Sequence, residues 1–197
     1  TIPSGYINDD RRILDIITKA IDNTGHTGNI GIQIDLAAGT YYDRTKKKYI
    51  GLLSAGEKTR DELINTYKDL ERSYPIAILE DPLEEDDFQG HALLRKELNA
   101  LIVGDDLFAT NLTRVLRGSR EKAADAVLLK VNQAGSISEA WELVHAAYQH
   151  GMDIMPCSSR GEGIDIADYA VGLNARYIRE SATGPLANRF IEIEDEL

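Results

Sequence analysis

One cysteine, Cys157, stands in 197 residues, so no intrachain disulfide can form. The fold must rest on its core, and an intracellular compartment is the natural expectation. No apolar run approaches the ~20 residues of a bilayer span. The opening residues also lack the basic, apolar and small-residue succession of a signal peptide, and a soluble, cytoplasmic protein is expected. Positive charge is scarce: 22 Lys and Arg stand against 33 Asp and Glu, a net charge of -11. That balance argues against holding nucleic acid or an anionic membrane through a general electrostatic field. A Gly-rich phosphate loop is missing, and so is an initial methionine; Thr1 in its place suggests a trimmed sequence or a fragment. What is present is ordinary for a globular chain, with 43% hydrophobic and 28% charged residues. Length and composition allow one domain with a substantial core.

Four apolar segments end in a charge: Ile32-Gln33-Ile34-Asp35, Ile76-Ala77-Ile78-Leu79-Glu80, Leu101-Ile102-Val103-Gly104-Asp105 and Ala126-Val127-Leu128-Leu129-Lys130. Apolar runs followed by helix signals read as parallel strands, whose ligands gather at their carboxyl ends. Three carboxylates and one amine are thus expected to converge. Asp35, Glu80 and Asp105 offer the hard oxygens that Mg²⁺ accepts while keeping water or substrate oxygens in its shell. A lysine held beside a cation and partly desolvated can lose its proton and act as base, so Lys130 with the metal suggests enolisation of a carboxylate. Each residue also has a plainer alternative. Strand-end acids cap helices or bind loop amides, and a lysine can snorkel, its stem on apolar surface and its head in solvent.

Along the chain, Asp10 to Asp22 has the apolar spacing of an amphipathic helix ended by Gly25 and Gly28. Ala37 to Lys48, with Gly39, two tyrosines and three consecutive lysines, reads as a surface excursion with Lys46 to Lys48 in a solvated turn. Thr59 with Glu62, and Ser136 with Glu139, are capping boxes ahead of apolar helical runs, and Asn111 is placed to cap a short helix after Asp105. The acidic run Glu84 to Asp87 suits a helix's first turn. Met152 to Pro156 and Ala175 to Ile178 read as a fifth and a sixth strand, with a helix through Ile164 to Leu173 between them. Cys157 falls in a strand-end loop, as a buried inert thiol or one lining the site. Repeated strand-helix units indicate an α/β fold, an incomplete TIM-type (β/α) barrel of about six βα units. A closed barrel of this kind needs eight strands and usually ~250 residues.

At this point the motifs become specific. Ile34-Asp35-Leu36-Ala37-Ala38, Leu79-Glu80-Asp81-Pro82, Val103-Gly104-Asp105-Asp106-Leu107 with Thr110-Asn111, and Leu128 to Ser136 (LLKVNQAGS) together resemble enolase, the phosphopyruvate hydratase of glycolysis. The likeness runs in order from about Gly5 to the closing Ile193 to Leu197 (IEDEL), so residues 1–197 read as one enolase C-terminal-like barrel domain. It implies a lyase with a Mg²⁺ site at Asp35, Glu80 and Asp105. Lys130 would be the base that takes the proton alpha to the carboxylate of 2-phosphoglycerate. The metal would stabilise the negative charge that develops there.

The departures from the family pattern bear on partners and substrate. The enolase amino-terminal domain and opening barrel strands have no counterpart, and with them goes the family's glutamate general acid. An unpaired strand edge is expected to favour association, as a homo-oligomer or with an amino-terminal enolase-like subunit. Where enolases carry Ser-His-Arg-Ser-Gly-Glu, this chain has Cys157-Ser158-Ser159-Arg160-Gly161-Glu162, which puts Ser158 and Ser159 at the positions of the histidine and arginine. Arg160 reaches the phosphate only if the loop shifts by one residue, and is otherwise a surface arginine. The family's lysine after the last strand corresponds to Arg179, which keeps the charge but not the geometry. Ser158, Ser159, Arg160 and Arg179 are the substrate-binding candidates for a phosphorylated 2-hydroxy acid. The alternatives are enolase-superfamily chemistry on another substrate, or a non-catalytic enolase-like module for binding or oligomerisation.

Overall fold

A computed structural model of the chain describes residues 9–179 and 183–197. It forms two compact units, Thr1–Ile102 and Val103–Leu197. Gly5, where the resemblance begins, lies outside the described residues.

In the first unit, helix α1 (Arg11–Asn23) buries Leu14 and Ile21. Strand β1 (Ile32–Asp35) follows. Beyond a short 3-10 turn at Ala38–Tyr41, the stretch expected to be a surface excursion is an antiparallel three-stranded meander: β2 (Tyr42–Asp43), β3 (Lys48–Ile50) and β4 (Glu57–Lys58). The correction has a simple cause in Tyr49. Its ring is 1% exposed, lies 4.9 Å from that of Tyr42, and its hydroxyl accepts the Glu84 N–H at 3.1 Å. Lys48 accordingly sits in a strand, and Lys46 and Lys48 pair with Glu57 at 2.5 and 3.2 Å. Helix α2 (Arg60–Ser73) opens on the predicted capping box of Thr59 and Glu62 and buries Leu63, Ile64, Tyr67 and Leu70. It leads to β5 (Ile76–Glu80), parallel to β1, with Ile34 opposite Leu79 and Asp35 opposite Glu80.

Helix α3 (Phe88–Glu97) begins later than the acidic run suggested. Only Asp87 serves the helix, its carboxylate accepting the Gly90 N–H at 2.8 Å. Glu84, Glu85 and Asp86 precede it, because Asp81, at φ 43°, and Pro82 turn the chain after β5. The Arg44 guanidinium gathers these acids, 2.7 Å from Glu85 and 3.7 Å from Glu84.

Strand β6 (Leu101–Gly104) crosses into the second unit, where Val103 and Gly104 pair in parallel with Ala126 and Val127 of β7 (Ala126–Leu129). Strand β8 (Asp153–Pro156) extends that parallel pairing on β7. Helix α4 (Leu112–Glu121) is capped by Asn111, as predicted. A short α5 (Val131–Ala134) precedes α6 (Ile137–Gln149), which packs on α4, β7 and β8. At α6 the Ser136 hydroxyl accepts the Glu139 N–H at 3.2 Å, but Glu139 answers to that same hydroxyl, at 2.8 Å, rather than to the backbone. Helices α7 (Asp165–Gly172) and α8 (Pro185–Glu196) pack together through Ile166, Ala167, Leu186 and Ile193.

The sixth strand expected at Ala175–Ile178 is not formed. Asn174 turns left-handed ahead of it, at φ 53°, and Arg176 pairs with Asp153 of β8 at 3.5 Å. One parallel bridge remains, between Cys157 and Arg179. Each unit thus sets parallel strands and helices in succession, with the antiparallel meander added in the first, and among the described residues the parallel strands number fewer than the eight that close a TIM-type barrel. Among the described residues no helix is long and apolar enough to cross a membrane.

Candidate active site

In the first unit the ends of β1 and β5 carry two of the predicted carboxylates side by side in register. Glu80 is fully buried, and its Oε2 accepts the Gln33 side-chain amide at 3.3 Å. Asp35 is exposed, and its Oδ1 accepts the Ala37 N–H at 3.1 Å. Beyond the strands the backbone stays paired, Leu36 N–H with the Glu80 carbonyl and Ala38 N–H with that of Asp81, both at 3.0 Å. Two non-glycine residues here, Ala37 and Asp81, have φ of 40° and 43°. Such conformations are costly and collect at functional sites. Asp35 also borders an apolar cavity of about 380 Å³ lined by Ile13, Leu14, Ile17, Ile32, Ile34 and Leu53.

In the second unit β6 and β7 deliver Asp105 and Lys130, 7% and 4% exposed. Lys130 Nζ donates to Asp105 Oδ2 at 2.5 Å, and Arg179 Nη1 lies 3.6 Å from the same oxygen. Lys130 is therefore not a snorkelling lysine, since its head ends on a buried carboxylate. Gly104 makes room for this: a Cβ there would come within 2.6 Å of the Phe108 ring, which is packed beneath the turn after Asp105. Ala109 and Thr110 follow with φ of 47° and 46°. The buried Thr110 hydroxyl accepts the Lys130 N–H at 3.3 Å and donates to Gln133 Oε1 at 2.9 Å. It thereby fixes the backbone from which the lysine projects.

The loop after β8 holds the remaining candidates. Cys157 is 1% exposed, and Arg179 Nη1 reaches its sulfur at 3.8 Å. Ser158 is half-buried, whereas Ser159 and Arg160 are exposed. The loop is tied down by Glu162, whose carboxylate accepts the N–H of Asn132 at 3.2 Å and of Arg160 at 2.9 Å. The structure thus brings Asp105, Lys130 and Arg179 into one cluster. In the first unit it sets Asp35 beside Glu80, and it leaves Ser158, Ser159 and Arg160 on a loop with bonds of its own.

A profile of the family described as "Enolase, C-terminal TIM barrel domain" matches residues 4–197. Enolases from Methanococcus aeolicus and Methanocaldococcus jannaschii are 38% and 39% identical, over 97% and 95% of this chain. The enolase of Methanopyrus kandleri is 42% identical over 93% of it. The chain belongs to the enolase family. It spans about half the length of these relatives, 45 to 46%.

Asp35, Glu80 and Asp105 are each a carboxylate at or just past the carboxyl end of a parallel strand, and their oxygens are of the hard kind that Mg²⁺ accepts. At Asp105 the Lys130 ammonium and the Arg179 guanidinium already face one oxygen. Several residues that shape these places were given no role of their own from the sequence: Gln33, Thr110, Asn132 and Glu162. All are polar residues inside the enolase-like motifs or next to the named candidates. Their part is to orient other groups, which composition and spacing do not reveal.

Proposed function

We propose that this chain is the barrel portion of an enolase that acts in the cytoplasm on 2-phosphoglycerate, dehydrating it reversibly to phosphoenolpyruvate. The observation that carries the proposal is Lys130, a primary amine buried at the end of β7 with its Nζ on the Asp105 carboxylate. Its assigned task is to take the proton from the carbon next to the substrate carboxylate. Mg²⁺, held by Asp35, Glu80 and Asp105, would supply positive charge toward that carboxylate and so make the proton more acidic. Ser158, Ser159, Arg160 and Arg179 are assigned to the phosphate end. The departing hydroxide needs a proton, which in the enolases this chain resembles comes from a glutamate of the amino-terminal half. An amino-terminal enolase-like segment or subunit is therefore the proposed partner, in keeping with the span of about half the relatives' length.

Exchange of the substrate's alpha proton with deuterated solvent tests this directly, because it needs the base and the metal but not the acid. The expected result is Mg²⁺-dependent exchange into 2-phosphoglycerate that Lys130→Ala abolishes. No exchange, even with every amino-terminal partner that co-purifies, would sink the proposal. A second proposal keeps proton abstraction but changes the substrate. It is favoured by Ser158 and Ser159 at the histidine and arginine positions, and by the nearness of Arg179 to Asp105 at 3.6 Å. Exchange into another 2-hydroxy acid, and not into 2-phosphoglycerate, would select it.

A further inference from the structure

The chain has one tryptophan, Trp141, and it stands at the surface, 45% exposed. Helix α6 turns Ala140, Leu143, Val144 and Ala147 inward as it packs on α4, β7 and β8. Its outer edge carries Ile137, Trp141 and Tyr148, whose spacing puts them on one stripe about 16 Å long at 1.5 Å per residue. All three are exposed, Ile137 at 60% and Tyr148 at 39%. The stripe lies on the side of α6 next to α7. There the Trp141 ring meets that of Tyr169 edge-on at 6.0 Å, and the Tyr148 hydroxyl donates to the Leu173 carbonyl at 2.7 Å. On α7, Asp165 lies one turn before Tyr169, and Gly172 follows it where an added Cβ would meet nothing within 4 Å. This face is therefore apolar, aromatic and open. Neither α6 nor α7 carries a lysine or an arginine. Asp168 is matched by Arg189 at 2.6 Å, while the exposed Glu142 and Asp165 have no partner among the described residues.

We infer that this face docks a basic amphipathic helix of another protein, its apolar side on Ile137, Trp141 and Tyr148 and its lysines or arginines on Glu142 and Asp165. The inference does not rest on the enolase reading. Tryptophan and tyrosine carry binding energy out of proportion to their number, and a helical partner meets such a stripe through its own i, i+4 and i+7 residues. The sign of the rim chooses the partner. A second copy of this chain, joined twofold through this face, would set Glu142 and Asp165 against carboxylates, and the net charge of -11 adds to that repulsion. Anionic lipid headgroups are repelled in the same way, since the stripe lacks the basic flank of a membrane-surface helix.

Because Trp141 is the chain's one tryptophan, its fluorescence reports this face alone. The test titrates the whole chain with the peptide LKKLLKLLKKLLKL, which has no aromatic residue, and with its counterpart in which glutamate replaces lysine. The basic peptide is expected to move the emission to the blue as the indole leaves water, with an affinity that falls as salt is added. The acidic one should leave it unmoved. Glu142→Lys with Asp165→Asn keeps the reporter and should weaken binding about fivefold, the worth of two exposed ion pairs. Trp141→Ala, followed by the anisotropy of a labelled peptide, should weaken it about tenfold or more. Trp141→Phe, which keeps a ring against Tyr169, should show a smaller loss and serves if Trp141→Ala does not fold. An unmoved emission, an equal response to the acidic peptide, or unchanged affinity in the double variant would overturn the proposal. So would a blue shift without peptide that grows with protein concentration as the mass doubles, which marks a contact between copies. A shift with phosphatidylserine vesicles and not with the peptide, or one produced by the amino-terminal partner proposed above, would overturn it as well. Deuterium exchange into 2-phosphoglycerate is read separately and decides the enolase reading on its own.

Discussion

The strand ends of the two units carry the same sequence signature, an apolar run closed by a charge, yet they treat that charge differently. In the first unit Asp35 accepts a backbone amide and Glu80 a side-chain amide. In the second, Asp105 meets the ammonium of Lys130 and the guanidinium of Arg179. A neutral amide orients a carboxylate without cancelling its charge, whereas an ammonium does both. The same contrast extends beyond the strand ends. The buried His91 of the first unit is kept neutral, its pKa pushed down by burial to about 4. The second unit buries an ion pair. Among the described residues the first unit buries a neutral imidazole, and the second buries an ammonium with a matching carboxylate.

The sharpest way to break this contrast is to remove the cation from the second unit. Lys130→Met preserves much of the side-chain volume but leaves Asp105, 7% exposed, facing Arg179 without its nearest counter-charge. Breaking a buried pair from one side costs about 3–5 kcal/mol. Urea unfolding should show a loss of this size, at the low end because Arg179 remains. Adding Asp105→Asn should recover much of it, since the uncompensated charge is then gone. If the double variant is as unstable as the sum of the two single ones, the pair is not the matched unit described here.

His91 supplies the counterpart in the first unit. Its Nδ1 is bonded to the Asp87 carbonyl at 2.9 Å, and its buried Nε2 has no partner among the described residues. The folded chain holds this imidazole neutral down to about pH 4, while the unfolded chain protonates it near 6.5. Between those values the unfolded state binds more protons, so stability rises with pH. His91's contribution is fully present above pH 6.5, falls as the pH drops through the window, and is lost below about pH 4. At 1.36 kcal/mol per pKa unit the whole difference is about 3 kcal/mol. His91→Leu should flatten the stability profile between pH 6.5 and 4, and an unchanged slope would mean that this imidazole is not held neutral.

How much of this was legible in the sequence follows from the kind of force involved. The strands at Ile32, Ile76, Leu101, Ala126 and Asp153 announced themselves because parallel strands are apolar nearly throughout. The caps at Thr59 and Asn111 were equally legible, since capping depends on residues three apart. The meander around Tyr49 was not, because three strands of two or three residues give no periodicity to read, and one buried tyrosine decides their arrangement. The sixth strand looked plausible from Ala175 to Ile178, but pairing there comes down to the single bridge between Cys157 and Arg179, and a short apolar run does not carry the tertiary register that a ladder needs. Among the site candidates, the charged residues could be named from the motifs. The orienting roles of Gln33, Thr110, Asn132 and Glu162 depend on which group each one meets across 20 to 47 residues of chain. No local pattern encodes that.

A smaller effect probes how the turn after Glu80 is held. The Tyr67 hydroxyl donates to the Pro82 carbonyl at 2.7 Å inside the core, and Tyr67 is 1% exposed. Tyr67→Phe leaves the ring in place and strands a buried carbonyl, at a cost of about 1–2 kcal/mol. Thermal unfolding should report the loss. The amide of Asp81, at φ 43°, should exchange faster with solvent as the strained turn loosens. A stability loss with unchanged exchange there would place the effect in the core rather than the turn.

The smallest expected effect isolates the neutral donor itself. Gln33→Leu removes the amide that meets Glu80 Oε2 at 3.3 Å, a long bond from a half-exposed strand. Its replacement also adds apolar surface beside Ile32 and Ile34, where the strand borders an apolar cavity. These two changes oppose one another. The lost bond to a charged acceptor costs about 1.5 kcal/mol, and the gained burial offsets part of it at about 25 cal/mol per Å². A net loss of about 1 kcal/mol or less is expected in urea unfolding, well below that of Lys130→Met. Were the two variants to lose equal stability, Gln33 would matter as much to its unit as the ammonium does to the other, and amide orientation and charge cancellation would be energetically indistinguishable at these strand ends.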